Sequence, residues 1–357
     1  MNYREITLRE AIHFKNGKKR PTSEGNIPVY GGNGVLGYAG ESNYEHCIII
    51  GRVGAYCGSV YLEEGKCWVS DNAIAAVPSG DNDTKFFYYL LKGLHLNERH
   101  IGISQPLLTQ EILNKINCEV PSYPDQQRIA ELLSSLDRKI NVNRKLNDNL
   151  ADLLQTIYQG RFGNDILAVN QGVLSDICSY STDKVAVSEL NVRTYFSTEN
   201  MLSGKAGSTE ATSLPTTSQT TACHKGDTLI SNIRPYFKKI VYCEDKCGCS
   251  TDVLCFTPSQ PCYSAYLFST LYADKFFAFM VAGSKGTKMP RGDKQQIMTY
   301  PVVLPSEEEL AGFNTIASPL LEQIYSNRAE NKRLSILRDT LLPKLMSGEI
   351  NVSAIQL

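Results

Sequence analysis

Apolar side chains recur at alternating spacings of four and three residues along the stretch 124–160. This spacing is typical of a helix that buries one stripe against a partner helix, and here it extends over about four heptads. Pro124 suits the first turn of such a helix, and Gly160 suits its end. The predicted stripe consists of Ile129, Leu133, Leu136, Ile140, Asn143, Asn147, Leu150, Leu154 and Ile157.

A second stretch, 306–347, repeats the first at an offset of 184 residues. Arg338 interrupts its stripe where an apolar side chain is expected. The two stripes are buried most simply against one another, which predicts an antiparallel pair of helices, each of about 34 residues and ~50 Å. The second stripe consists of Leu320, Ile324, Asn327, Asn331, Leu334 and Leu341.

Asparagine occupies two stripe positions in each predicted helix, Asn143 and Asn147 in the first and Asn327 and Asn331 in the second. A single polar residue in such a stripe is commonly a tolerated exception. Recurrence in both helices favours a role in register, because buried asparagine costs stability but fixes how paired helices align. We predict that the four asparagines meet near the middle of the pair.

Each helix follows a globular segment, and the two segments resemble each other. Apolar β-branched runs, broken by a turn with glycine, asparagine or proline, predict strand–turn–strand in both segments. That turn carries Arg52 in the first segment and Arg234 in the second. The matching stretches are 47–62 with 227–242, 66–78 with 246–258, and 116–124 with 297–305.

These patterns predict an α/β (α+β) fold with two pseudo-repeated globular domains, each followed by a long helix, the helices pairing as an antiparallel coiled coil. The predicted boundaries are 1–123, 124–162, 163–304 and 305–357. Two separated globular domains would match two DNA half-sites about one helical turn, ~34–36 Å, apart or somewhat further.

The formal net charge of −1 over 357 residues does not suggest a uniformly basic surface. Contacts with nucleic acid would therefore have to come from local clusters, although a basic run is by default only a solvated surface. The clusters are NGKKR (16–20), RPYFKK (234–239) and GSKGTKMPRGDK (283–294).

The composition also bears on location. Neither an apolar leader segment nor a run of about 18 apolar residues occurs, so we expect no signal peptide and no membrane span. The 11 cysteines are odd in number and scattered, which favours reduced thiols and a cytoplasmic location.

Motifs for catalysis are weak. No G-x-x-x-x-G-K-[ST] loop occurs, and the glycine-rich stretches 31–34 and 51–54 do not open a helix after a strand. Glu63, Glu64 and Lys66 resemble part of a metal-dependent nuclease motif, but no aspartate sits suitably ahead of them. We predict no active site, cofactor or metal in this chain, since irregular spacing favours core packing over zinc ligation. The candidate zinc ligands are Cys223, His224, Cys243, Cys247, Cys249, Cys255 and Cys262.

The combination of motifs resembles the DNA specificity subunit of type I restriction-modification systems. Its helix motif is PDQQRIAELLSSLDRKI (124–140), with the counterpart LPSEEELAGFNTIASPLLEQI (304–324), in which Glu307, Glu308 and Glu309 depart from the usual glutamine. The remaining motifs are IPVYGGNGVLGY (27–38), ISNIRPYFKK (230–239), GTKMPRGD (286–293) and LRDTLLPKLMSGEI (337–350).

This resemblance implies two target-recognition domains, each reading one half of a split DNA sequence, and two helices that act as a spacer. It implies that methyltransferase (modification) subunits dock on the chain and that a restriction/translocase subunit completes the complex. The complex would be an adenine-N6 methyltransferase and ATP-dependent endonuclease. S-adenosylmethionine, ATP and Mg²⁺ would be bound by the partner subunits, and this chain would catalyse nothing.

Candidate DNA contacts are side chains that can donate to phosphates or read base edges from turns. In the first domain they are Lys18, Lys19, Arg20, Tyr30, Asn33, Arg52, His100, Ser104 and Gln105. In the second domain they are Asn232, Arg234, Tyr236, Lys238, Lys239, Lys285, Thr287, Lys288 and Arg291.

Two other functions fit the same pattern. A two-headed coiled-coil adaptor would bind proteins with its globular domains, and basic loops at matched repeat positions favour DNA over this alternative. A degenerate restriction endonuclease would cleave DNA with Mg²⁺ through Glu63 and Glu64.

Overall fold

The computed structural model describes residues 3–102, 105–163 and 170–352. The chain divides into two compact units, one of residues Met1–Val142 with Glu330–Leu357 and the other of residues Asn143–Ala329. Each unit contains one globular α/β part and a segment of each long helix. No helix in the described ranges is long and apolar enough to cross a membrane.

The two long helices predicted by the apolar stripes are confirmed as Tyr123–Phe162 and Glu307–Met346, of 40 residues each. We call them α4 and α8. The stripe residues Ile129, Leu133 and Leu154 are buried. Beyond Leu154, the buried face of α4 carries Tyr158 and Phe162, while Ile157 is half-buried. A helix of 3.6 residues per turn drifts away from a strict 3.5-residue repeat, which explains the change.

The helices run antiparallel within each unit. In the first unit, Asp137 Oδ1 accepts a hydrogen bond from Arg338 Nη1 at 2.6 Å, and Lys139 Nζ lies 3.2 Å from Glu330. Arg338 is therefore tolerated in the stripe because a carboxylate of the facing helix neutralises it. In the second unit, Asn147 faces Asn327, and the rings of Tyr158 and Phe313 lie 6.4 Å apart.

The asparagine pair in the second unit forms a buried hydrogen bond. Asn327 Nδ2 donates to Asn147 Oδ1 at 2.8 Å, and Asn327 Oδ1 accepts from Gln323 Nε2 at 2.8 Å. Asn143 is also buried and Asn331 is half-buried. The predicted role of all four in register remains a prediction.

We expect the pair to be strongly coupled in stability. Asn327→Leu alone should cost about 1–3 kcal/mol, because it leaves the buried Asn147 carbonyl oxygen without a donor. The double variant Asn147→Leu with Asn327→Leu should be nearly neutral or more stable, since both polar groups are removed. Denaturant unfolding of the four proteins measures this, and effects that add within about 0.5 kcal/mol would contradict it. Light scattering shows whether the double variant also changes its oligomeric state, as loss of a register constraint predicts.

The first unit contains a six-stranded sheet in the order β2-β7-β5-β6-β3-β4 and a two-stranded sheet of β1 and β8. The strands are β1 Arg4–Thr7, β2 Ile12–Asn16, β3 Ile27–Gly31, β4 Gly34–Ala39, β5 Tyr44–Gly51, β6 Val60–Val69, β7 Ala73–Pro78 and β8 Asn117–Val120. The short helices are α1 Leu8–Ala11, α2 Thr84–Gly93 and α3 Gln110–Asn114.

The second unit contains two four-stranded sheets, β10-β17-β14-β15 and β11-β13-β16-β12, and the pair β18-β9. The first strands are β9 Gln171–Val173, β10 Cys178–Tyr180, β11 Lys184–Ala186, β12 Tyr195–Phe196 and β13 Gln219–Cys223. The later strands are β14 Thr228–Ser231, β15 Ile240–Tyr242, β16 Cys247–Cys249, β17 Val253–Pro258 and β18 Pro301–Val303. The helices are α5 Ser264–Tyr272, α6 Asp274–Ala282 and α7 Lys294–Met298.

The internal repeat is confirmed by topology. The order β2-β7-β5-β6 of the first unit matches β10-β17-β14-β15 of the second, and the pair β1-β8 matches β9-β18. Continuous β-branched runs such as Ile48–Ile50 form the central strands because both of their faces are buried. The units differ in what is added: the hairpin β3–β4 extends the first sheet, whereas the second unit builds a separate sheet.

Candidate nucleic-acid interface

In the first unit, the loop that follows β5 packs along a second loop that precedes α3. Arg52 N donates to the carbonyl of Asn72 at 3.0 Å. Gly54 N donates to the carbonyl of Pro106 at 3.0 Å, and Leu108 N donates to that of Arg52 at 2.9 Å. We call the described residues of these loops, 52–59 with 100–102 and 105–108, platform 1.

The second unit repeats this arrangement bond for bond. Asn232 N donates to the carbonyl of Asp252 at 2.8 Å. Arg234 N donates to that of Pro290 at 2.8 Å, and Gly292 N donates to that of Asn232 at 3.3 Å. We call residues 232–239 with 284–292 platform 2. The offset is 180 residues in the first loop and 184 in the second.

These bonds show that the two arginines of the matched turns do not occupy equivalent positions. Arg52 corresponds to Asn232, and Arg234 corresponds to Gly54. The backbone supports this, because Arg234 and Lys238 have φ values of 51°, in the left-handed region where Gly54 and Gly58 lie at 73° and 85°. Left-handed backbone costs a residue other than glycine about 1–2 kcal/mol, and such strain is concentrated at functional sites.

Platform 1 carries buried polar atoms for which the described residues provide no hydrogen-bond partner. Arg52 Nε and His100 Nδ1 are buried, and neither has a hydrogen-bond partner among the described residues. Gln105 is exposed, whereas Ser104 lies outside the described residues. A buried polar group without a hydrogen-bond partner costs free energy. Binding of a ligand that supplies partners to these two atoms would therefore be favourable.

Platform 2 presents the same situation with different side chains. Asn232 Oδ1 and Arg234 Nε are buried without a partner in the described part of the chain. Arg291 Nη2 lies 3.0 Å from Asp252 Oδ1, and Lys285 Nζ lies 2.6 Å from Asp293 Oδ2. The Lys285 ammonium holds the pKa of that carboxyl below its usual value, with help from backbone amides. Thr287 and Lys288 are exposed.

Two further lysines of platform 2 have internal acceptors. Lys238 Nζ lies 2.9 Å from Asp274 Oδ1, and Lys239 Nζ donates to the carbonyl of Thr198 at 2.6 Å. Burial lowers the pKa of Lys239. Both side chains therefore need to exchange an existing partner before they can bind a phosphate.

The structure places Tyr30 differently from the other candidates. Its ring is buried, and its hydroxyl donates to Glu63 Oε2 at 3.0 Å. The pairing of β3 with β4 shifts register between Val29 and Tyr30, so both side chains face inward. Burial, together with the Glu63 carboxylate, raises the pKa of Tyr30. Tyr30 would have to leave the core and give up this hydrogen bond before it could enter a DNA groove.

The remaining candidates of the first unit are exposed. Asn33 lies in the β3–β4 turn, next to Gly32, whose carbonyl accepts a hydrogen bond from Ser59 Oγ of platform 1 at 2.5 Å. Lys18 and Lys19 follow β2, and Arg20 Nη2 donates to the Tyr38 carbonyl at 3.5 Å.

Sequence reasoning missed Tyr56 in platform 1. Its side chain is 52% exposed, and it corresponds at an offset of 180 to Tyr236 of platform 2, which is 49% exposed. Both lie in a short 3-10 turn after the central strand. The repeat offset alone could have identified it.

The two glutamates of the nuclease-like motif have internal partners, and most of the candidate zinc-ligand cysteines lie in the core. Glu63 accepts hydrogen bonds from Tyr30 and from Gly65 N, and Glu64 forms an ion pair with Lys85 at 2.6 Å. No group of three or more histidine, cysteine or acidic side chains in the described ranges is arranged to hold a metal ion. The buried cysteines of the second unit that pack together are Cys223, Cys243, Cys247, Cys249 and Cys255.

Comparisons with known proteins point to one family. Residues 2–151 match the type I restriction modification DNA specificity domain. The chain is 31% identical over 116 residues to the type I restriction enzyme EcoprrI specificity subunit of Escherichia coli, covering 32% of this chain and 29% of that one. It is 22% identical over 340 residues to the MjaIX specificity subunit of Methanocaldococcus jannaschii, covering 77% and 71% of the two chains.

The likeness extends to the whole fold. The crystal structure of the type I restriction-modification S subunit from M. genitalium superimposes with a TM-score of 0.63 at 20% identity. The superposition covers 97% of this chain and 96% of that one. The fold is therefore shared with a specificity subunit.

Proposed function

We propose that this chain is a DNA specificity subunit of a type I restriction-modification system and that it reads a bipartite DNA sequence with its two platforms. Residues 1–123 and 163–304 would be the target-recognition domains. Residues 124–162 and 305–357 would be the spacer helices that set the unread gap between the two half-sites.

The observation that supports this proposal is the repetition of one backbone with unlike side chains. Reading two different half-sites requires a common scaffold that presents different donors and acceptors to the base edges. Platform 1 offers Arg52, Tyr56 and Gln105, and platform 2 offers Asn232 and Arg234. The buried side-chain atoms of Arg52 and Asn232 that lack a hydrogen-bond partner among the described residues belong to equivalent backbone positions, where base edges would supply partners.

Phosphate contacts would come from exposed basic side chains beside the platforms. We expect weak DNA binding by the isolated chain. A protein with a net charge of −1 neutralises few phosphates and therefore releases few of the counterions condensed on DNA. Tight binding would require the partner subunits, and nanomolar affinity of the isolated chain at physiological salt would contradict this expectation. The exposed basic residues are Lys18, Lys19, Arg20, Lys285, Lys288 and Arg291.

The helices would also dock the methyltransferase subunits. Leu146 and Leu153 of α4 are exposed, as are Ile336 and Leu337 of α8, and such apolar side chains suit a protein interface. The assembled complex would methylate adenine at N6 and, with a restriction/translocase subunit, cleave DNA at the expense of ATP. S-adenosylmethionine, ATP and Mg²⁺ would belong to those partners.

A domain exchange tests this division of labour. The chain is co-expressed with its methyltransferase subunit, and methylated adenines are mapped across the genome. Replacing residues 1–123 with the corresponding segment of a relative should change one half of the methylated motif and leave the other half and the spacer length unchanged. An unchanged motif in active complexes would refute the assignment, and a change in both halves would refute independent reading.

A further inference from the structure

The second unit contains a cavity of about 450 Å³ between the end of β15 and the first half of α8. It is lined by Tyr242 and Glu244 on one side, by Ala265 of α5, and by Asn314, Glu322 and Tyr325 of α8. It involves neither platform residues nor the asparagine pair of the helices.

Two polar atoms of this cavity are buried without partners. The hydroxyl of Tyr325 and Oδ1 of Asn314 have no hydrogen-bond partner within the described ranges. Asn314 Nδ2 donates to the carbonyl of Cys262 at 2.8 Å, which leaves its oxygen as a fixed acceptor. Buried polar atoms of this kind usually have a partner, so the cavity is suited to a ligand that donates hydrogen bonds.

The internal repeat indicates which ligand chemistry fits. Glu244 corresponds at an offset of 180 to Glu64 of the first unit, whose Oε1 lies 2.6 Å from Lys85 Nζ. The residue that corresponds to Lys85 is Ala265, a lining residue of the cavity. The second unit therefore retains the carboxylate but has lost the butylammonium group that neutralises it in the first unit.

The surroundings of the cavity also favour a cation. Its acidic lining residues Glu244, Asp245 and Glu322 are opposed by a single basic one, Lys225, which leaves a net charge of −2 for this set. That charge counts Glu244 as ionised. Burial raises the pKa of Glu244 to about 7, against the lowering effect of Arg328 and Lys225, so a cation that binds beside it would stabilise the charged carboxylate. Leu62 of the first unit is replaced by Tyr242 at the equivalent position, and an aromatic face attracts cations.

We propose that this cavity binds an alkylammonium ligand of the aliphatic diamine class. One ammonium group takes the place of the missing lysine beside Glu244, and the aliphatic chain lies against Tyr242. The other ammonium group donates to Asn314 Oδ1 and lies near Glu322. This site does not depend on DNA recognition, so the proposal stands apart from the proposed function.

Calorimetric titration of the full chain with 1,4-diaminobutane tests the proposal, with uncharged 1,4-butanediol as the control ligand. We expect saturable binding of the diamine and none of the diol. Glu244→Gln should weaken binding at least tenfold, while the matched change Glu64→Gln in the first unit should leave it unaltered. Circular dichroism melting confirms that each variant is folded.

A second variant restores the lost lysine. Ala265→Lys should place its own ammonium group beside Glu244 and abolish diamine binding. If this variant does not fold, the pair Glu244→Gln and Glu64→Gln decides the question alone. Absence of saturable binding up to tens of millimolar diamine, or equal effects of the two glutamine variants, would overturn the proposal.

Discussion

Arg234→Gly should weaken DNA recognition by the assembled complex roughly 5- to 150-fold while leaving the chain as stable as before or slightly more stable. Loss of a side chain that reads a base typically costs about 1–3 kcal/mol of discrimination. The backbone of Arg234 is left-handed, with φ of 51°, and glycine adopts that conformation without steric cost. The same position in the first unit is already Gly54, with φ of 73°.

This prediction is specific because the substitution should weaken DNA recognition without lowering the stability of the chain. We expect the unfolding free energy to rise by about 0–1 kcal/mol, because relief of backbone strain exceeds the entropy that glycine adds to the unfolded chain. Fluorescence anisotropy with a duplex carrying the methylated motif gives the affinity, and denaturant titration gives the stability. The complex should lose specificity only for the half-site that the second unit reads.

Lys246→Ala is the matched control, because it also removes one positive charge from the second unit. Lys246 forms an exposed ion pair with Glu189 at 2.9 Å, beyond the end of β15 that lies away from platform 2. Its loss should change affinity by little more than a general charge effect. Equal loss of affinity in both variants would mean that Arg234 acts through charge alone. A stable Arg234→Gly protein that keeps full specificity would show that Arg234 does not read a base.

The long helix α4 and the matched loops of the two platforms could be predicted from the sequence. The stripe that contains Ile129 and Leu133 predicted α4, because few structures other than a helix give apolar residues a sustained spacing of four and three. The repeat predicted matched loops. The offset of 180 also aligns Arg52 with Asn232, but it could not show that the two loops make the same backbone hydrogen bonds, because those bonds involve carbonyls distant in sequence.

Tyr30 and the cavity in the second unit illustrate two other limits. Strand alternation assumes that neighbouring side chains face opposite ways, and a register shift at Val29 and Tyr30 breaks that assumption. The cavity depends on Ala265 being small where Lys85 is long. That difference is present in the sequence. Its consequence, a carboxylate without its lysine, follows only from the ion pair between Glu64 and Lys85 in the first unit.

Phe313→Ala should be the most destabilising single change in the second unit. Phe313 is fully buried, and its ring lies 5.4 Å from that of Phe162, 6.4 Å from that of Tyr158 and 6.5 Å from that of Tyr266. Truncation of a buried phenylalanine to alanine costs about 3–5 kcal/mol, through lost burial and the cavity that remains. These rings join α4 and α8 to α5 and thereby hold the globular part of this unit on its helices.

Ile316→Ala on the same helix is the control, because Ile316 is an exposed side chain and its loss should cost less than about 0.5 kcal/mol. Denaturant unfolding of both variants measures the difference. If the aromatic cluster positions platform 2, the Phe313 variant should also lose recognition of the second half-site near its unfolding midpoint, before the first half-site is affected. Simultaneous loss of both half-sites would instead mean that the two units unfold as one.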